Sequence, residues 1–369
     1  MDPLDWRDAV PALAETTYLN FGASGPPSEA VLAATRDALD DHAAAHAGDG
    51  AYEDAFAGFD RARAAAADLL GVDPEQVALT NSTGDGIARI ADALDLDTGD
   101  VVVRSDLEHP ANVLPWERLA ETRDIEVRVV ETDAGRLDRA AFSTAIEGAD
   151  LVTLQSLTWS HGTRWPIAEL ASEAHDAGAR VLVDAVQSVG QHPIDVSRWN
   201  ADFVAAASHK WLLGPWGAGM LAVAPDAIDA IEPERVGYRS VTDGEGLTLQ
   251  PDARRLELGT ASPAPYAGLE AAVETVDRVG IDRIADRIVR LAGRLTDRVP
   301  ADRLVSPADP ESGLVTIRVD DPDRTVERLR EDDVRVRTLP TPEGTLRASV
   351  HAVSTPADID RLADRLPVT

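Results

Sequence analysis

Residues 181–190 read VLVDAVQSVG and residues 202–221 read DFVAAASHKWLLGPWGAGML. Each stretch holds a short run of small or β-branched apolar residues. Just past each run stands a chemically active side chain, Asp184 in one and Lys210 in the other. A short continuous apolar run without polar alternation reads as a strand buried on both faces, the pattern of a mainly parallel sheet covered by helices. Similar runs occur at 77–80, 101–103, 127–130, 151–154 and 220–223, mostly separated by amphipathic stretches such as 166–177. The spacing predicts an α/β fold with a mainly parallel sheet. Residues 203–205 and 220–223 are too close for a helical crossover, so this pair is expected to be antiparallel.

The pattern changes after about Thr260. A helical stretch over 268–299 leads to strands at 314–319, 334–337 and 346–350 and helices at 325–331 and 356–366. This predicts a smaller C-terminal α/β domain on a mostly antiparallel sheet. Near the other end, YLNFGASGPP (18–27) is a loop rich in Gly, Ser and Pro that precedes a helix near 28–42.

Composition narrows the chemistry. The chain has 369 residues, 44% of them hydrophobic, enough for a large core. It contains no Cys, which excludes disulfides, thiolate metal sites, iron–sulfur clusters and a covalent cysteine mechanism. Thirty-five Lys+Arg against 65 Asp+Glu leave a net charge of −30. Such a surface repels nucleic acid and anionic lipid, and is common where high salt screens self-repulsion. A halophilic protein is the expectation. The acidic start, MDPLDWRDAVPALAE, lacks an apolar signal core, and no run approaches 18 apolar residues, so a cytoplasmic location is expected. The eight His show no H-E-x-x-H spacing, and no metal site is expected.

One count stands out. Lys210 is the single lysine, so the other 34 of the 35 cations are Arg. It is either a chance survivor or a residue kept for amine chemistry such as a Schiff base, which Arg does not perform.

In open α/β sheets ligands bind beyond the carboxyl ends of the strands. After 77–80 comes Asn81-Ser82-Thr83-Gly84-Asp85-Gly86. This is either an ordinary helix cap by Ser82 or Thr83, or a set of free N–H groups for an anion such as phosphate. It is no Walker A loop, and Arg89 stands at the third glycine position of a dinucleotide fingerprint. After 101–103 comes His109, suited to stacking on a planar ring or to acid–base work. Asp184 either caps the next turn or meets a cation such as a protonated ring nitrogen. Ser208-His209-Lys210 then precedes a Gly-rich segment. Together these offer a phosphate cradle, a ring stacker, an acid for a ring nitrogen and an amine for an aldehyde, the four groups that pyridoxal 5′-phosphate requires.

With these residues in place, the stretches LEHPANVLPW (107–116), VLVDAVQSVG, DFVAAASHKWLLGPWGAGML, ELGTAS (257–262) and LRASVHAVSTPADIDRL (346–362) resemble the class V aminotransferase family of fold-type I pyridoxal-phosphate enzymes. That family includes cysteine desulfurases and isopenicillin-N-epimerase-like proteins. The resemblance implies a segment 1–30 near the active site, a large cofactor-binding domain over 31–260 and a small domain over 261–369. It implies that Lys210 forms the internal Schiff base, Asp184 protonates the pyridine nitrogen, Gln187 contacts the phenolic oxygen and His109 stacks on the ring. Thr83, the Gly84 amide and His209 would hold the phosphate, and Thr260 would reach the phosphate of a neighbouring subunit in a homodimer. Arg347 would pair with the substrate carboxylate, with Arg337 as a second candidate, and Trp159 would stand near the substrate.

Three departures bear on the reaction. Desulfurases carry a Cys in the loop that here reads TLPTPEGT (338–345), so a persulfide on the enzyme's own thiol is excluded. Ala207 replaces the usual phosphate-binding Ser, with Ser208 as the adjacent substitute. Trp159 stands where many desulfurases have Asn. The resemblance implies an enzyme acting on an amino acid through an external aldimine and α-proton abstraction by Lys210, of the class V aminotransferase type. The alternatives are a C–S or C–N lyase or an epimerase without an enzyme persulfide, and, in another class, a cofactor-binding protein without turnover. A NAD-dependent dehydrogenase lacks its glycine fingerprint and gives Lys210 no role.

Overall fold

The computed structural model describes residues 1–46, 50–242, 246–340 and 344–367. Its main sheet has seven strands: β1 (Val77–Thr80), β2 (Val101–Ser105), β3 (Glu126–Val130), β4 (Leu151–Gln155), β5 (Arg180–Asp184), β6 (Phe203–Ala207) and β7 (Gly219–Val223). They lie in the order β1-β7-β6-β5-β4-β2-β3. Neighbours from β6 through β3 pair in parallel. Strand β7 runs antiparallel to both β6 and β1, as the short link between residues 207 and 219 requires. Every residue of β4, β6 and β7 is buried, because helices cover both faces.

Helix α1 (Glu29–Ala45) starts at Ser28, whose hydroxyl accepts the Val31 N–H. Helix α2 (Ala51–Leu70) buries Phe59, Ala62, Ala66 and Leu70 on one side of the sheet, with Val183, Val204 and Met220 in the same core. Helix α3 (Thr83–Ala93) lies on the other side, where Ile87 and Ile90 join Ala205 and Leu221. The stretch expected as one helix over 268–299 is two: α4 (Ala264–Val279) and α5 (Ile281–Thr296). Gly280 breaks it with φ +90, a conformation that costs glycine little. Helix α4 buries Leu269, Val273 and Val276 in the same core as α2.

A second, antiparallel sheet holds β8 (Leu314–Arg318), β9 (Arg337–Leu339) and β10 (Thr345–Ser349), in the order β8-β10-β9. The strand expected over 334–337 is divided. Val334 and Arg335 pair in parallel with Thr17 and Tyr18, whereas Arg337 joins β10. The same N-terminal segment goes on to receive Ser349 N–H at the Leu19 carbonyl, 2.6 Å away. Residues 341–343 of the 338–345 loop lie outside the described residues. Among the described residues, no helix is long and apolar enough to cross a membrane.

Candidate active site

The carboxyl ends of β2, β4, β5 and β6 converge: Asp184 ends β5, and the segments beyond the other three carry His109, Trp159 and Lys210. A cleft of about 420 Å³ opens there, lined by Lys210, His109, His209, Gln187, Arg337 and Arg347. A narrow extension of about 10 Å³ reaches Asp184 and Gln155.

Lys210 is half-buried at the start of the β6–β7 link. Its position is locked by close backbone packing: Gly25 N–H donates to the His209 carbonyl at 2.7 Å, and a Cβ on Gly25 would run into the Lys210 carbonyl oxygen. Desolvation pulls the Lys210 ammonium down to about 8; Asp184 opposes this, and Arg347 and Arg337 reinforce it. The free amine is therefore within reach near neutral pH.

Asp184 ends β5 and is buried. Burial raises its pKa, while the Val186 N–H and Lys210 pull the other way. Oδ1 accepts the Val186 N–H at 3.0 Å and so caps the turn. Oδ2 accepts no hydrogen bond among the described residues and remains for a ligand.

His109 keeps a face open to the cleft. Its Nδ1 accepts the Ala111 N–H at 3.2 Å, which leaves the neutral ring's proton on Nε2. Desolvation and the cations Lys210, Arg337 and Arg347 bring it down to about 4, so at neutral pH it is an uncharged ring. His209 is brought to about 4 by desolvation and Lys210. Gln187 is clamped, with Nε2 donating to the Gly22 carbonyl at 3.0 Å and Oε1 accepting from Trp211 Nε1 at 2.8 Å.

Trp159 sets its edge against His109, with centroids 5.8 Å apart and planes at 87°. Its indole N–H donates to the Leu107 carbonyl at 2.8 Å. Its own carbonyl accepts Arg347 Nη1 at 2.6 Å. Arg347 is buried in the middle of β10, and its Nε and Nη2 have no partner among the described residues. Burial and the neighbouring Arg337 hold it down at about 9. An arginine so placed awaits an anion.

At β1 the cap of α3 is Ser82, whose hydroxyl accepts the Asp85 N–H at 3.1 Å. Thr83 is the first helical residue, and its buried Oγ1 has no partner among the described residues. Gly84 abuts the His109 turn: a Cβ on it would sit 3.4 Å from Ala111 Cβ. The helix N-terminus and the orphaned Thr83 hydroxyl together suit a phosphate.

Two expected residues lie elsewhere. Ser208 is fully buried, and its hydroxyl donates to the Pro215 and Ala218 carbonyls at 2.7 and 3.0 Å. It closes the turn after β6 and is not free to replace the missing serine at a phosphate. Thr260 is exposed, shares a 2.8 Å hydrogen bond with Tyr238, and lines a separate cavity of about 450 Å³ beside Phe59, Arg239 and Tyr266. One residue was not anticipated. Glu108 is buried behind His109, where its carboxylate accepts from Ser105 Oγ at 2.7 Å, Asn112 Nδ2 at 2.8 Å and Gln155 N–H at 3.1 Å. Burial pushes it up to about 8. The signal was a carboxylate directly before His109, at the end of the charged stretch RSDLEH (104–109).

The amine, the free acid oxygen, the neutral ring and the orphaned donors fit pyridoxal phosphate. The family model for class V aminotransferases matches residues 17–362. The probable cysteine desulfurase of Methanothermobacter thermautotrophicus is 31% identical, covering 98% of this chain and 96% of the relative. Isopenicillin N epimerase of Streptomyces clavuligerus is 29% identical, covering 98% of each. The solved complex between the cystine C-S lyase C-DES and its reaction product cysteine persulfide matches with TM-score 0.91 and 28% identity, covering 96% of this chain and 98% of that one. The match running from Thr17 to Leu362 settles the family: this chain belongs to the class V aminotransferases, pyridoxal-phosphate-dependent enzymes of fold type I.

Proposed function

We propose that this enzyme removes the α-proton of an amino acid and releases a sulfur substituent from its Cβ, as a C–S lyase that uses no thiol of its own. The observation that carries the reading is the pairing of Lys210 and Asp184 in one cleft of a chain that contains no cysteine. The desulfurase and cystine-lyase names among its relatives support sulfur chemistry at Cβ.

When bound, pyridoxal phosphate supplies an aldehyde for primary amines and a ring that takes up the electron pair left at Cα. Lys210 would hold the cofactor through its amine, and Asp184 Oδ2 would keep the proton on the pyridine nitrogen. His109 would offer its uncharged face to the ring, since Nδ1 is already engaged. Thr83 Oγ1, the Gly84 N–H and His209 would hold the phosphate, and Gln187 has one amide proton left for the phenolic oxygen. Arg347 would take the substrate carboxylate through the nitrogens that lack partners. Lys210 Nζ, released by the substrate amine, would accept the α-proton. The Cα–H and Cβ–S bonds would break as a Cα=Cβ bond forms, and the sulfur would leave with its bonding pair and take the proton held by Lys210, departing as a small-molecule thiol or persulfide.

Thr260 lies outside the Lys210 cleft of its own chain. We infer that it serves the phosphate site of a second copy in a homodimer, with a large domain over 31–260 and a small one over 261–369. The charge of −30 supports a halophilic enzyme.

The test is an absorbance spectrum of the purified protein in molar KCl, followed by borohydride, peptide mapping and a panel of amino acids. A visible band, reductive fixation on Lys210 and sulfide or persulfide release from Cβ-thio amino acids are expected. Amino transfer to a keto acid, or epimerisation without release of sulfur, would overturn the lyase assignment. Absence of the band after adding pyridoxal phosphate would overturn the catalytic one.

A further inference from the structure

Arg337 and Arg347 are directly opposed residues of the antiparallel pair β9–β10. Directly opposed residues project to the same face of a sheet, with Cβ atoms about 5 Å apart, and like charges there destabilise the pairing. Among the described residues, those lining the main cleft include neither Asp nor Glu; Asp184 lies in its narrow extension, beside Lys210. Burial lowers the pKa of Arg347, and the neighbouring Arg337 adds to that shift. The protein carries a net charge of −30, yet gathers Lys210, Arg337 and Arg347 around one cleft. A cationic cleft of this kind draws in anions.

The two arginines differ in depth. Arg347 is buried at the floor, held to the Trp159 carbonyl, with two nitrogens lacking partners. Arg337 is exposed at the mouth, and among the described residues only its Nε is engaged, with the Thr338 carbonyl at 3.3 Å. An amino acid whose α-carbon must face Lys210 has its α-carboxylate within the deep position. Its side chain then extends outward, toward the second guanidinium.

We propose that the Arg337–Arg347 pair selects amino acids whose side chain ends in an acid, with Arg347 taking the α-carboxylate and Arg337 the distal one. The proposal rests on the reading of Arg347 given under the proposed function. It assigns substrate class to the chemistry of the departing group: the sulfur leaves attached to a fragment that carries a carboxylate.

The experiment compares S-(2-carboxyethyl)-L-cysteine with the nearly isosteric S-propyl-L-cysteine on the holoenzyme, reading dissociation constants from the visible absorbance and KM from turnover. The acid is expected to bind ~10-fold tighter or better, the order of one charge-assisted hydrogen bond. In Arg337→Gln that ratio is expected to collapse to within about twofold. A calorimetric comparison of succinate with butyrate gives the same ratio without turnover, so it distinguishes failure of the acid selection from failure of the lyase assignment. Equal affinity for the acid and its isostere, or a ratio that survives Arg337→Gln because both compounds weaken together, would overturn the proposal. The second result would mean that both arginines share the α-carboxylate.

Discussion

The carbonyl of Trp159 accepts a hydrogen bond from Arg347 Nη1 at 2.6 Å, joining the segment after β4 to the middle of β10. The same tryptophan rests its indole edge on His109. One residue thus couples the His109 ring with the Arg347 guanidinium, the groups proposed to meet the cofactor and the substrate. Trp159→Ala removes the indole bond to Leu107 and the contact with His109. It is expected to raise KM for the amino acid about tenfold and to cost about 1 kcal/mol of stability, the scale of one lost hydrogen bond. Steady-state kinetics and urea unfolding check both. Arg347→Lys, which loses the planar fork, is expected to raise KM at least as much.

Lys210 is the only lysine, so amine-reactive reagents report on it alone once the N-terminal peptide is separated by mapping. In protein stripped of cofactor, its acylation rate is expected to reach half its maximum near pH 8 rather than near 10.5. The sign for stability follows. Between those pH values the unfolded chain holds a proton that the folded chain has lost, so stability rises with pH across this window. Lys210→Met removes that slope, as urea midpoints measured at pH 8 and 10 would reveal. The same variant is expected to lose turnover entirely.

Glu108→Gln places an amide NH₂ opposite Asn112 Nδ2. Asn112 cannot flip cheaply, since its Oδ1 already accepts from Thr153 Oγ1 at 2.6 Å and Trp116 Nε1 at 3.4 Å. Above pH 8, where Glu108 is ionised and only accepts, a donor left facing a donor in a buried site costs about 1–3 kcal/mol. A lower melting temperature is expected, with weaker cofactor retention as the His109 turn loosens. An unchanged melting temperature would show that the network adapts.

The surface charge makes a prediction about salt. Raising KCl from dilute buffer to molar concentration screens repulsion among the excess carboxylates. The thermal midpoint is expected to rise by several degrees or more. A flat response would remove the halophilic assignment.

Much of this architecture is legible in short stretches. The apolar runs mark the strands of the main sheet, because a strand covered on both faces has no polar side to show; the edge strand β3 differs, alternating Glu126 and Arg128 with valines and remaining partly exposed. The close spacing of 203–205 and 220–223 indicates their antiparallel pairing, since a dozen residues cannot carry a crossover helix back along the sheet. Asp184 and Lys210 stand out because each ends or follows a buried run, where an ionisable group needs a reason to be.

Other features depend on partners far along the chain. The run 334–337 reads as one strand, but Thr17–Tyr18 claims one half and β10 the other. Ser208 is adjacent to the key lysine, yet its hydroxyl turns inward to the carbonyls of residues 215 and 218. Glu108 finds Ser105 and Asn112 nearby in sequence, but gains the Gln155 N–H only when β4 lies beside β2. The bond from Arg347 to Trp159 spans 188 positions. Local patterning sets element type and strand ends, because hydrophobic periodicity is a short-range property. Register, side-chain direction and the meeting of Arg337 with Arg347 came from the packed chain, where burial and long-range hydrogen bonds choose among pairings that short segments leave equal.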